Sequence, residues 1–264
     1  MSNLFRKSDE KQASSKNEPV IAMILLEDIM DLSCDKMLAS YNEKNNDLIN
    51  IQLKDNTITF ELDNETGYIS LMPGPVPWGD LEGPCAAAWY WKEAAQVLRE
   101  HKAHILISIL PQNEQKPMVE RFISITKLVS SILQTSIALG VYWGSGTVVH
   151  SADNFLKRSS DINNKDIPYE LWIEFRVEMF PDKKCNIITT GMRTFGHMEI
   201  EIVKSKNSPL NALEFVLNTI NYLVKNGPVI KDGDTVGEDK TQKIKVKYKK
   251  SIRDRVGNVM SINY

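Results

Sequence analysis

The chain has 264 residues, of which 42% are hydrophobic and 25% charged, and its formal net charge is -2. That supplies enough apolar material for a sizeable core. The near-balance of acid and base excludes whole-surface binding to nucleic acid or to an anionic membrane, though not a local basic patch.

Residues 1–18 carry both charge signs, show no sustained periodicity and lack the apolar centre of a secretory signal, which predicts a disordered tail ahead of Pro19. The run Val20–Leu26 (VIAMILL) suits a short strand buried on both faces and is far too short to span a bilayer. Asp31 or Ser33 then caps a helix reaching about Tyr41. Asp55-Asn56 and Asp63-Asn64-Glu65-Thr66-Gly67 punctuate three strands near 50–54, 57–62 and 67–72, a β-meander pattern. In Pro73-Gly74-Pro75-Val76-Pro77 the prolines forbid regular ladder bonding and predict a stiff, extended loop.

Pro84 suits the first turn of a helix running to about His101, and Ala103–Leu110 (AHILISIL) reads as another buried strand. Pro117 introduces a long helix with Met118, Phe122, Ile125, Val129 and Ile132 on its apolar face. Gly140 ends that element and Val141-Tyr142-Trp143 begins a short strand. Strands follow at 171–180, 186–190 and 197–204. Ser208-Pro209 starts a helix lined by Leu210, Leu213, Leu217, Ile220 and Val224, and Asn226-Gly227-Pro228 stops it. The last strands are 243–250 and 256–262. No Pro/Ser/Gly linker divides the chain, and helices and strands intersperse without a clean βαβ rhythm. The expectation is one α+β domain over 19–264, a mixed, largely antiparallel sheet packed with three or four helices.

Several groups of residues have chemistry to weigh. Cys34, Cys85 and Cys185 are odd in number and lie at no metal-ligand spacing, so they read as thiols in a reducing compartment. Cys85 follows Pro84 at an expected helix start, where the helix dipole lowers a thiol's pKa. It is either a nucleophile served by a base such as His104 or a small buried residue. His101 and His104 can share a helical face, but no third ligand stands at diagnostic spacing, so no metal is expected. Asp232-Gly233-Asp234 lacks the ligand pattern of a calcium loop and reads as a turn, or as a ligand-binding loop. Lys243, Lys245, Lys247 and Lys249 alternate with Ile244, Val246 and Tyr248, which puts the lysines on one face of a strand. That face either protects a sheet edge or binds an anion or acidic partner. Trp78, Trp89, Tyr90 and Trp91 flank the proline loop, and adjacent aromatic residues cannot all face one core. A pocket lined by this group is the expected site.

Several further segments are read together. They are Leu71-Met72-Pro73-x-Pro75-x-Pro77, Trp91-Lys92-Glu93-Ala94, Glu100-His101-x-Ala103-His104, Thr126-Lys127-Leu128-Val129, Gly140-Val141-Tyr142-Trp143 and Leu171-Trp172-Ile173. In the second half come Thr189-Thr190-Gly191-Met192, Phe195-Gly196-His197-Met198-Glu199-Ile200-Glu201-Ile202, Asp232-Gly233-Asp234-Thr235 and Val259-x-Ser261-Ile262. In order and spacing these segments resemble the bacterial family called domain of unknown function 4261, a resemblance that runs from about Pro19 to the C-terminus and implies a cytoplasmic bacterial protein. It brings no catalytic residues with it. It implies a habit like that of small cytosolic proteins near toxin-immunity loci. The resulting expectation is a non-enzymatic module that binds another protein, with an immunity-type protein as its narrower form, and with no cofactor and no nucleic acid or membrane partner. The alternative is an enzyme, with a hydrolase as the candidate class, using a pocket near Trp78–Trp91 with Cys85 or His104.

Overall fold

The computed structural model describes residues 18–28, 33–112, 116–163, 167–237, 241–254 and 256–264. Of the tail expected over 1–18, residues 1–17 lie outside the described residues, as does the alternative helix cap Asp31. In chain order the first half comprises β1 (Val20–Leu26), α1 (Cys34–Asn42), β2 (Leu48–Lys54), β3 (Thr57–Leu62), β4 (Glu65–Met72), α2 (Trp78–Ala87), α3 (Ala94–Leu98), β5 (Ala103–Leu110) and α4 (Met118–Leu133). There follow β6 (Ala138–Trp143), β7 (Val148–Ser151), α5 (Ala152–Ser159), β8 (Glu174–Met179), β9 (Cys185–Thr190), β10 (Ile200–Ser205), α6 (Pro209–Asn226), β11 (Thr235–Val236), β12 (Ile244–Lys250) and β13 (Asn258–Ile262).

The strands form a seven-stranded sheet in the order β2-β3-β4-β5-β1-β6-β7 and a six-stranded sheet in the order β11-β12-β13-β10-β9-β8. Among the described residues β10 and β13 pair parallel and the other neighbours antiparallel. The α+β class and the predominance of antiparallel pairing agree with the sequence expectation. The strands are shared between two sheets, and six α-helices are present among the described residues.

In the first sheet, β1, α1, β4, β5, α4 and β6 follow a split β-α-β-β-α-β order, with β1 inside the sheet between β5 and β6. Interior placement explains why VIAMILL is apolar on both faces. Val20, Ala22, Ile24 and Leu26 enter the main core beneath α1 and α4, while Leu25 enters a second apolar cluster on the opposite face. Asp63 and Asn64 both have positive φ, 51° and 63°, and close β3 onto β4 by a two-residue turn. Gly67 sits opposite Phe60, whose ring lies over it; a Cβ at Gly67 would come within 2.1 Å of that ring.

The two halves meet at an aromatic hub. Phe122 of α4 packs edge-on against Trp143 of β6 at 5.1 Å, Trp172 at 5.3 Å and Phe195 at 5.0 Å between centroids. Trp172 donates its indole N–H to Thr126 Oγ1 at 2.9 Å, so the buried polar atom is satisfied. The main core cluster is continuous through this hub into the second sheet, where Phe215, Val216, Ile220 and Leu223 of α6 cover Ile187, Ile202, Val246 and Ile262.

Some element limits differ from the sequence reading. Pro84 lies inside α2 rather than opening it; the helix begins at Trp78 behind Pro77 and ends at Ala87. The chain then turns through 88–93, because Trp89, Tyr90 and Trp91 need different surfaces. Gly140 is a strand residue: α4 ends at Leu133, where the Thr135 and Ser136 hydroxyls donate back to Ile132 O. Its lack of a Cβ serves a close approach, since that atom would lie 2.5 Å from His150 O. The strand expected over 171–180 is confined to β8, with Trp172 and Ile173 buried ahead of it. Among the described residues no helix is long and apolar enough to cross a membrane.

Candidate functional site

The site begins with the proline loop. Its backbone cannot bond as a ladder, and two histidines hold it instead. His101 Nε2 accepts the Val76 N–H at 2.8 Å while Nδ1 donates to Leu98 O at 2.5 Å, which commits both ring nitrogens. His104 Nδ1 donates to Gly74 O at 2.7 Å, and burial lowers its pKa. This pair is the clamp of the loop.

Beyond the loop, the aromatic group divides. Trp78 and Trp91 pack against the second apolar cluster with Leu25, Val76, Leu81, Leu98, Tyr142 and Val149. The Arg99 guanidinium lies 3.8 Å from the Trp78 ring centroid, a cation–π contact. Trp89 and Tyr90 face outward and are 45% and 42% exposed. Their polar tips are nonetheless anchored. Trp89 Nε1 donates to Phe175 O of β8 at 2.9 Å, and Tyr90 OH donates to Val149 O of β7 at 2.7 Å. The two rings meet edge-on at 5.7 Å, and Tyr90 stacks on buried His150 at 5.8 Å. Since β7 ends the first sheet and β8 the second, the turn after α2 bridges the seam between the sheets.

Cys85 lies close to this seam but not as a poised nucleophile. It occupies the last turn of α2, the end opposite to the expected helix start, within the second apolar cluster. Burial pushes its thiol up to about 11, with Arg99 pulling weakly the other way. The hydrogen bond formed by His104 goes to the proline loop.

At the far side of the second sheet lies the lysine-bearing strand. Within β12, Ile244 and Val246 are buried and Lys245, Lys247 and Lys249 are exposed, the alternation read from the sequence. This strand is not a bare edge. Thr235 and Val236 pair with Lys245 and Ile244, Gly233 N donates to Val246 O, and Val246 N donates to Asp234 O. Asp232 Oδ1 accepts the Tyr248 N–H at 2.7 Å, and Asp234 Oδ2 accepts the Lys231 N–H at 2.7 Å. The Asp232/Asp234 turn thus seals the outer backbone of β12. The structure brings Asp232, Asp234, Lys245 and Lys247 together; it places them at the opposite end of the sheet from Trp89.

Two buried acids were not singled out from the sequence. Glu199 accepts hydrogen bonds from Thr189 and from the backbone N–H groups of Gly191, Met192 and Arg193, and burial outweighs these donors in raising its pKa. Glu201 Oε1 accepts from Ser251 Oγ at 2.7 Å and Ile252 N at 3.0 Å, while its Oε2 lies 3.9 Å from Lys249 Nζ. The signal was present in Glu199-Ile200-Glu201-Ile202, two acids inside an otherwise apolar strand, which need buried partners.

The family described as "Domain of unknown function (DUF4261)" matches residues 188–263. That span runs from within β9 to the end of β13 and takes in both buried acids, α6 and the lysine-bearing strand. No curated protein and no solved structure matches the chain.

Proposed function

We propose that this chain, a DUF4261-family protein through residues 188–263, is a non-enzymatic module that binds another protein through Trp89 and Tyr90. One observation carries the reading: both rings are broadly exposed, yet both polar tips are hydrogen-bonded within the fold. Side chains already fixed lose little conformational entropy on binding, and Trp and Tyr dominate the residues that anchor protein interfaces. The pair also sits on two sheet edges, a rigid base for presenting an apolar surface.

An immunity-type protein, whose partner is a toxin that it occludes, is the narrower form of this proposal, in a bacterial cytoplasm. The unpaired cysteines fit such a reducing compartment. The hydrolase alternative draws no support from Cys85, whose thiol stays protonated at neutral pH.

The test is quantitative co-purification from the native cell with the full chain and with Trp89→Ala/Tyr90→Ala. The wild type should retain a partner in stoichiometric amount, and the variant, with unchanged circular dichroism, should release it. A partner retained equally by both, or none retained by either, contradicts the proposal.

A further inference from the structure

We propose that the lysine-bearing face of β12 is a docking strip for an extended acidic segment of a partner protein, with carboxylates on alternate residues. This goes beyond the aromatic seam. Four strand steps separate β12 from β8, roughly 19 Å at ordinary strand spacing.

Edge protection is the usual reason for lysine on an outlying strand. Here the edge is already closed at Ile244–Tyr248 by β11, Gly233, Asp234 and the Asp232 carboxylate. The lysines therefore add little against strand pairing, and their common face calls for another cause. Their partners within the fold are few. Lys249 approaches Glu201 at 3.9 Å, whereas among the described residues neither Lys245 nor Lys247 forms an ion pair. Asp232 and Asp234, the nearest acids on the edge, have turned their carboxylates to backbone N–H groups instead.

Period matching selects the partner. Alternate residues of a strand stand about 6.8 Å apart, and so do alternate residues of an extended peptide laid along it. Carboxylates at every second position can then meet successive lysines, with Ser261 beside Lys247 as a further donor. Nucleic acid fits less well. The strand's one aromatic residue, Tyr248, lies on the opposite face with its hydroxyl bonded to Ile230 O, so this strand offers no ring for base stacking. The chain as a whole carries a net charge of -2.

The test is fluorescence anisotropy of the full chain against three labelled probes of equal charge: a peptide alternating Glu and Thr, a peptide with the same residues in two blocks, and a single-stranded oligonucleotide. The alternating peptide should bind best and should weaken about tenfold or more between low and moderate salt. Lys245→Glu/Lys247→Glu should reduce that binding about tenfold or more, while Lys54→Glu/Lys157→Glu, the same charge change elsewhere, stays within about twofold. Should the first variant fail to fold, Lys245→Gln/Lys247→Gln is read in its place, with a loss of about threefold or more. Trp89→Ala/Tyr90→Ala should leave peptide binding unchanged, which separates this inference from the function proposed above. Binding that ignores Lys245 and Lys247, equal binding of the block peptide, or tighter lysine-dependent binding of the oligonucleotide overturns it.

Discussion

Replacing Glu199 by glutamine keeps the side chain's size and removes its charge, in a place where four donors converge. Thr189 Oγ1 at 2.7 Å and Met192 N at 3.3 Å address Oε2, and Gly191 N at 3.0 Å and Arg193 N at 3.4 Å address Oε1. Whichever way the amide is turned, its –NH2 faces at least one backbone N–H: Met192 on one side, Gly191 and Arg193 on the other. A buried donor left without an acceptor costs about 1–3 kcal/mol. Losing the charge also weakens the bonds that remain. Against this, the amide escapes the burial penalty that raises the Glu199 pKa. The net expectation for Glu199→Gln is a loss of about 2–4 kcal/mol. For a chain of this size that lowers the thermal midpoint by about 4–7 °C. Urea unfolding followed by the fluorescence of the buried Trp143 and Trp172 measures it directly. A variant within about 0.5 kcal/mol of wild type refutes the reasoning.

Arg121 and Glu65 form a buried pair, with Arg121 Nε at 2.8 Å and Nη2 at 2.7 Å from Glu65 Oε1. Arg121→Met alone should cost about 3–5 kcal/mol by leaving the buried Glu65 carboxylate to the longer contact with Lys116 Nζ at 3.7 Å, whereas Arg121→Met with Glu65→Gln should cost much less; equal losses in a double-mutant cycle sink this account. Burial holds His150 down to about 4 against an ordinary 6.5, so the folded protein favours the neutral ring. Its contribution is complete above pH 6.5 and drains as pH falls towards 4, by at most about 3 kcal/mol. His150→Phe should flatten that part of the stability–pH curve, and an unchanged slope argues against it. With its thiol near 11, Cys85 should resist iodoacetamide in the native state, while half-buried Cys34 is alkylated first. Rapid native labelling of Cys85, mapped by mass spectrometry, would return it to candidacy as a nucleophile.

What the sequence disclosed follows the range of each signal. Ser208-Pro209 and Gly227 punctuated α6 because caps are local chemistry, and the helix runs from Pro209 to Asn226 behind a Ser208 cap. The alternation of β12 was legible because a strand's period is independent of its neighbours. Pro84 misled because a proline inside a short helix and one at its first turn look alike without knowing where Pro77 stops the preceding extended segment. Whether β12 was an edge could not be read at all, since the answer lies in Gly233 and Asp234, which reach Val246 across a long connection. The aromatic cluster was visible as composition, yet only tertiary packing sends Trp78 and Trp91 inward and pins Trp89 and Tyr90 to two different strands. The family match was anticipated over a longer stretch than the 188–263 that it covers.

The most direct test of the central claim is the dissociation constant of the purified complex, measured by calorimetry for wild type and for Trp89→Ala. An anchoring tryptophan accounts for about 2 kcal/mol or more, so the complex should weaken about thirtyfold or more. An affinity unchanged within about twofold would show that the partner binds elsewhere and contradict the account.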